Sequence, residues 1–139
     1  MTTGTAGVND RQDPRQVMNS LKKTINYNDA GIATGIAFEN YLPRAAFIMN
    51  VMVEIVTAFN AATTNVLTVG TNAASYNNIV NAGDVNEAAL GVTAVTRSYG
   101  RSLTAAASVL PYAMYTQTGA AATAGQAVVV IEFEGGWSS

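Results

Sequence analysis

With 139 residues, no histidine and no cysteine, the chain has room for one domain with its own core. It lacks the side chains for a Ser-His-Asp or Cys-His site, a His-ligated zinc or a disulfide. Charged residues make up only 12% against 49% hydrophobic, a balance that suits a protein with a large, permanently covered surface. The net charge is -2 and no basic residue falls between Arg44 and Arg97, so the positive footprint of a nucleic-acid binder is missing and no nucleic-acid partner is expected. No apolar run reaches the length of a membrane span and the first ten residues do not read as a leader, so neither membrane nor signal peptide is expected.

Residues 1–20 read as an extended N-terminal arm, polar and rich in Gly and Thr, ahead of a domain at 21–139. Asp13-Pro14 offers a cap and a first helical position for a short helix through Leu21; the rival is an arm that orders only on a neighbouring subunit. Residues 24–38 suggest a hairpin, with Thr24 to Tyr27 outbound, Asn28-Asp29-Ala30-Gly31 as the turn and Ile32 to Phe38 returning. Pro43 ends that strand.

Ala46 to Asn60, AFIMNVMVEIVTAFN, is the central element. Phe47, Met49, Val51, Val53, Ile55 and Phe59 share one parity and are expected to face the core, while Asn50, Glu54 and Asn60 face outward. Ile48, Met52 and Val56 lie among the outward set, which implies that a second layer or a partner covers part of that face. Val66 to Val69 follows as a strand with Leu67 and Val69 inward. Between Ala73 and Thr96 the spacing Asp84-x-x-Glu87 resembles a helix start, although Gly91 and the β-branched Val92, Thr93 and Val95 oppose a long helix.

Val109 to Gln117 reads as a strand interrupted by Pro111 and therefore placed at an edge. Gln126 to Glu134 is the second clear strand, with Ala127, Val129, Ile131 and Phe133 on one face, and Trp137 beyond it reads as a lid on the core. Six to eight short strands with turn signals between them indicate an all-β domain, a β-sandwich or jelly roll.

Chemistry is sparse. Glu39, Glu54, Glu132 and Glu134 leave two-carboxylate glycosidase chemistry formally open, but alternating Glu on strands is the pattern of a solvated face. No dense Asp/Asn/Gly loop or phosphate loop is present, so no metal, cofactor or catalytic residue is assigned. The candidate interface residues are Arg11 and Arg15 on the arm, Met52 and Val56 on the central strand, and Arg97 and Arg101 flanking Tyr99.

Four stretches carry a family resemblance: KKTINYNDAG at 22–31, LPRAAFI at 42–48, VEIVTAFNAATTNVLTVGT at 53–71 and TGAAATAGQAVVVIEF at 118–133. Through them residues 22–134 resemble the head decoration, or capsid cement, proteins of tailed bacteriophages. The resemblance implies a structural virion protein with a β-sandwich or jelly-roll fold; with no His or Cys and with carboxylates at exposed strand positions, no enzymatic activity is expected. It also implies a homotrimer on the outer capsid surface, bound to the major capsid protein and stabilising the shell. Fibre proteins of phage tails and heads share similar phrases, which keeps open a β-domain that binds a carbohydrate or the host surface, with Tyr76, Tyr99, Tyr112 and Tyr115 lining a site.

Overall fold

The computed structural model describes residues 18–72, 74–95 and 97–135. They form seven strands and no helix: β1 (Met18–Asn26), β2 (Ile36–Ala37), β3 (Ala46–Thr57), β4 (Thr64–Gly70), β5 (Gly91–Val95), β6 (Tyr112–Thr118) and β7 (Gln126–Gly135). A four-stranded sheet in the order β1-β7-β3-β5 packs on a three-stranded sheet in the order β2-β6-β4, with every pairing antiparallel. The fold is therefore all-β and sandwich-like.

The alternation read from the sequence explains the core. On β7, Ala127, Val129, Ile131 and Phe133 are buried while Val128, Val130 and Glu132 are half-buried on the opposite face. They meet Val51, Val53 and Ile55 of β3 and Leu21 and Ile25 of β1 on the same side of the sheet. The facing layer contributes Leu67 and Val69 of β4 and Ala113 and Tyr115 of β6. Phe59, just past β3, places its ring 4.7 Å from that of Tyr115, a tilted aromatic contact inside the core.

β3 departs from strict alternation at one residue. Ile48 pairs with Phe133 and Asn50 with Glu132, so Met49 is an extra residue, a β-bulge. A one-residue insertion exchanges the faces of everything before it. Ile48 and Ala46 are consequently buried, whereas Phe47 and Met49, expected in the core, are 51% and 44% exposed. A second irregularity lies between Ile55 and Thr57, and Val56 is exposed there, on the face that the alternation gives it.

Four other expectations are corrected. The turn at Asn26–Ile32 exists, closed by the Asp29 N–H on the Asn26 carbonyl at 3.2 Å and the Asn26 N–H on Asp29 Oδ2 at 2.8 Å. It joins the two sheets instead of closing a hairpin: β1 pairs with β7, and β2 pairs with β6. Turn chemistry fixes a local reversal and leaves the partner to be chosen by the long apolar ladder that β7 offers. β6 is the middle strand of its sheet because Pro111 lies one residue before it, where a missing N–H removes no ladder bond. Asp84 to Glu87 forms turns: Asp84 Oδ2 accepts the Asn81 N–H at 2.8 Å, and Glu87 points back to β4. Met18 to Leu21 belongs to β1 and not to a helix; residues 14–17 and Trp137 lie outside the described residues.

Two substitutions test this packing. Ile131, fully buried in the most enclosed strand, should lose about 2–4 kcal/mol of stability on truncation to alanine. Gly70 ends β4 where a Cβ would lie 1.8 Å from the Ser75 carbonyl oxygen and 2.4 Å from the Tyr76 Cα, both backbone atoms of the next turn. Gly70→Ala should therefore destabilise by at least as much as a core truncation, about 2 kcal/mol or more, in a urea titration.

Candidate interaction surface

The outer face of the four-stranded sheet is built from residues that the register aligns across all four strands. One row runs Lys22, Val130, Met52, Ala94, and the next runs Thr24, Val128, Glu54, Val92. Met52, Val92, Val128 and Val130 with the stem of Glu54 enclose a shallow hollow of about 210 Å³. These two rows are thus apolar across the middle and charged only at Lys22 and Glu54, with Glu132 and Glu134 further along the same face. Beyond these rows Asn50 Nδ2 donates to Glu132 Oε1 at 3.2 Å, a polar border.

Exposed apolar side chains gather on one side of this sheet. Phe47, Met49, Val56, Leu90 and Val92 lie on β3, on β5 or on the approach to β5; Leu90 and Val92 are 69% and 64% exposed. A broader groove of about 530 Å³ opens beside the bulge, lined by Phe47, Met49, Asn50, Val95, Arg97 and Tyr99. The bulge creates this groove, because it moves two large apolar side chains from the core to the surface.

The Arg97–Tyr99 pair is used internally. The Arg97 guanidinium donates to Asp84 Oδ2 at 2.7 Å, to the Ile79 carbonyl at 3.0 Å and to the Tyr99 hydroxyl at 3.2 Å. Tyr99 is buried and donates its hydroxyl to the same Ile79 carbonyl. These contacts fasten the long 71–90 connection to the segment after β5. The Asp84 hydrogen bond holds the Arg97 pKa above its ordinary value, and burial pushes that of the Tyr99 phenol up, so one stays a cation and the other a donor. Arg101 is exposed on the following turn.

Met52 is half-buried within the sheet face and Val56 exposed near the end of the same strand, so these two candidates share a surface that Arg97, Tyr99 and Arg101 do not. Arg11 and Arg15 lie outside the described residues. The sequence reading missed Leu90 and Val92; the uncharged run from Ala88 to Val95 was the available signal. Among the described residues no cluster of three or more His, Cys, Asp or Glu is placed to hold a metal.

Glu87, which the spacing placed at a helix start, has a different part in the structure. It is buried, and its Oε2 accepts the Leu67 N–H of β4 at 3.0 Å while its own carbonyl accepts the Phe59 N–H at 2.9 Å. Desolvation raises its pKa, only partly offset by the hydrogen bonds that its carboxylate accepts from the backbone N–H groups of Leu67 and of Glu87 itself.

No family model matches the chain, and no curated protein sequence matches it. Among solved structures, the fold is similar to a chain of the capsid asymmetric unit of cyanophage Pam1, with a TM-score of 0.53 and 16% identity over 84% of each chain. It is also similar to a chain of the acid-stable capsid of Helicobacter pylori bacteriophage KHP30, with a TM-score of 0.56 and 19% identity over 86% of this chain and 89% of that one. The sandwich thus shares its fold with chains of two bacteriophage capsids.

The raised pKa of Glu87 has a measurable sign. In the pH range between the ordinary carboxylate value and the raised one, the folded protein binds more protons at Glu87 than the unfolded chain. Its contribution to stability therefore falls as pH rises through that range. Glu39, whose pKa is lowered by its hydrogen bond to Lys23, acts in the opposite direction but is exposed and screened. Urea titrations of wild type and Glu87→Gln should show the variant gaining relative stability as pH rises from about 4.5 to 7, since the amide oxygen can still accept the Leu67 N–H without charge.

Proposed function

We propose that this protein is a capsid decoration protein: a structural, non-enzymatic virion component that sits on the outer capsid surface. There it binds the major capsid protein as a homotrimer and stabilises the shell. The observation that supports this reading most is the likeness of more than four-fifths of the chain to chains of two phage capsids, in a sandwich whose outer sheet face is apolar at Met52, Val128 and Val130. Apolar area of this kind contributes roughly 25 cal/mol per Å² when removed from water, sufficient for a lasting interface once the area is large. Adhesion to the shell then comes from multivalency, since several weak contacts in one rigid oligomer reinforce one another.

The arm, read from the sequence as residues 1–20 and ending at 17, before β1 begins at Met18, has a place in this scheme. It contributes little apolar area of its own and orders against a neighbouring subunit or the major capsid protein, with Arg11 and Arg15 meeting acidic groups there. The carbohydrate-binding fibre domain is the weaker reading. It needs tyrosines gathered in loops, whereas Tyr99 and Tyr115 are buried, Tyr112 is half-buried on β6 and only Tyr76 of the four is exposed.

The experiment is addition of the protein to heads that lack it. Wild type should bind and raise the temperature at which the heads release DNA, and a chain lacking residues 2–17, which leaves β1 intact, should bind at least about tenfold more weakly. Failure of the wild-type protein to bind or to stabilise heads defeats the proposal; equal binding by the truncated chain removes only the arm's part in it.

A further inference from the structure

The two edges of the four-stranded sheet are unlike. β1 carries Lys22 and Lys23 on its strand, and charge on an edge is the usual protection against pairing with another chain. β5, Gly91-Val92-Thr93-Ala94-Val95, carries neither charge nor proline, and among the described residues its ladder is with β3 alone. The charges nearest to it in sequence are turned to other work: Glu87 is buried on the Leu67 N–H, and Arg97 is held by Asp84 and the Ile79 carbonyl. Leu90, 69% exposed, leads into the strand, and a methyl group built on Gly91 would meet nothing within 4 Å. The edge is open, uncharged and β-branched.

We propose that β5 is a two-fold interface at which it pairs antiparallel with β5 of a second copy, centred on Thr93, to make one continuous eight-stranded sheet. The strand is self-complementary in that register. Val92 faces Ala94 of the second copy, Gly91 faces its Val95, and Thr93 faces Thr93, a favourable cross-strand pair. No like charges are opposed. The pairing also joins the two outer-face rows end to end, so that Thr24, Val128, Glu54 and Val92 of one copy continue into Ala94, Met52, Val130 and Lys22 of the other. Each joined row then carries one acid and one base with six uncharged residues. A two-fold contact is separate from the three-fold one proposed above, and it joins copies that belong to neighbouring trimers. It needs no shell, so a failure to bind heads leaves it standing.

The full chain tests the register. Because it has no cysteine, Thr93→Cys introduces a single thiol. Directly opposed residues of an antiparallel pair have Cα atoms about 4.5–5.5 Å apart, within the reach of a disulfide. Mild oxidation should give covalent dimers of Thr93→Cys, while Lys22→Cys, on the guarded edge, should not cross-link. In sedimentation equilibrium, Val92→Lys with Ala94→Lys places like charges opposite one another twice across the axis and should weaken association by about tenfold or more. Val92→Lys with Ala94→Glu places opposite charges in the same positions and should restore it. Both sites are exposed, so neither pair of substitutions should disturb the fold, which circular dichroism checks. The proposal is overturned if Thr93→Cys yields no dimer or no more than Lys22→Cys, or if the two double variants associate equally.

Discussion

The ladder between β3 and β7 is the contact on which the rest of the structure depends. It runs from Ala46–Gly135 to Thr57–Gln126 and places the two most apolar strands side by side at the centre of the larger sheet. β1 is added to β7 and β5 to β3, so both flanking strands take their register from it. The buried side chains of the ladder, from Ile48 and Phe133 to Ile55 and Ala127, also form the floor on which the smaller sheet rests. Burial on this scale is what a domain without disulfides depends on, since no covalent link restricts its unfolded chain.

Much of this was legible because period-two burial needs only the chemistry of successive side chains. The alternation of Val51, Val53 and Ile55, of Leu67 and Val69, and of Ala127 to Phe133 identified core faces that the structure keeps. The errors arose where a non-local contact outweighed a local pattern. Nothing in the residues Ile48-Met49-Asn50 marks a bulge, because the extra residue exists only relative to the register of β7. The segment Asn28 to Gly31 carries strong turn signals, and they are obeyed, but a turn does not state which sheet the chain enters next, and the returning strand expected from Ile32 begins only at Ile36. Glu87 read as a helix cap because three-residue spacing is the cap signature; its true partner, the Leu67 N–H, lies twenty residues away.

The candidate surface was legible in kind and not in place. The apolar residues of the outward set pointed to an outer face with apolar side chains, and the structure places Met52 on that face. Arg97 and Tyr99 drew attention as a charged and aromatic pair on a loop, yet the structure spends them on fastening the 71–90 connection through Ile79 and Asp84. An arginine in sequence is equally able to bind a partner or a nearby carbonyl, and the choice is made by residues that a linear pattern cannot bring together.

The bulge and the bare edge bear on each other. Had β3 kept strict alternation, Phe47 and Met49 would sit in the core and the groove beside β5 would lose its apolar wall. Instead the insertion moves both side chains to the same side of the sheet on which Leu90 and Val92 are exposed, so two independent departures from a monomer's economy of surface converge on one margin. A solitary domain would protect that margin with a lysine or a proline, as β1 does with Lys22 and Lys23. Its absence, in a chain with only 12% charged residues, is the physical ground for the contact with another protein chain proposed at the margin of β3 and β5.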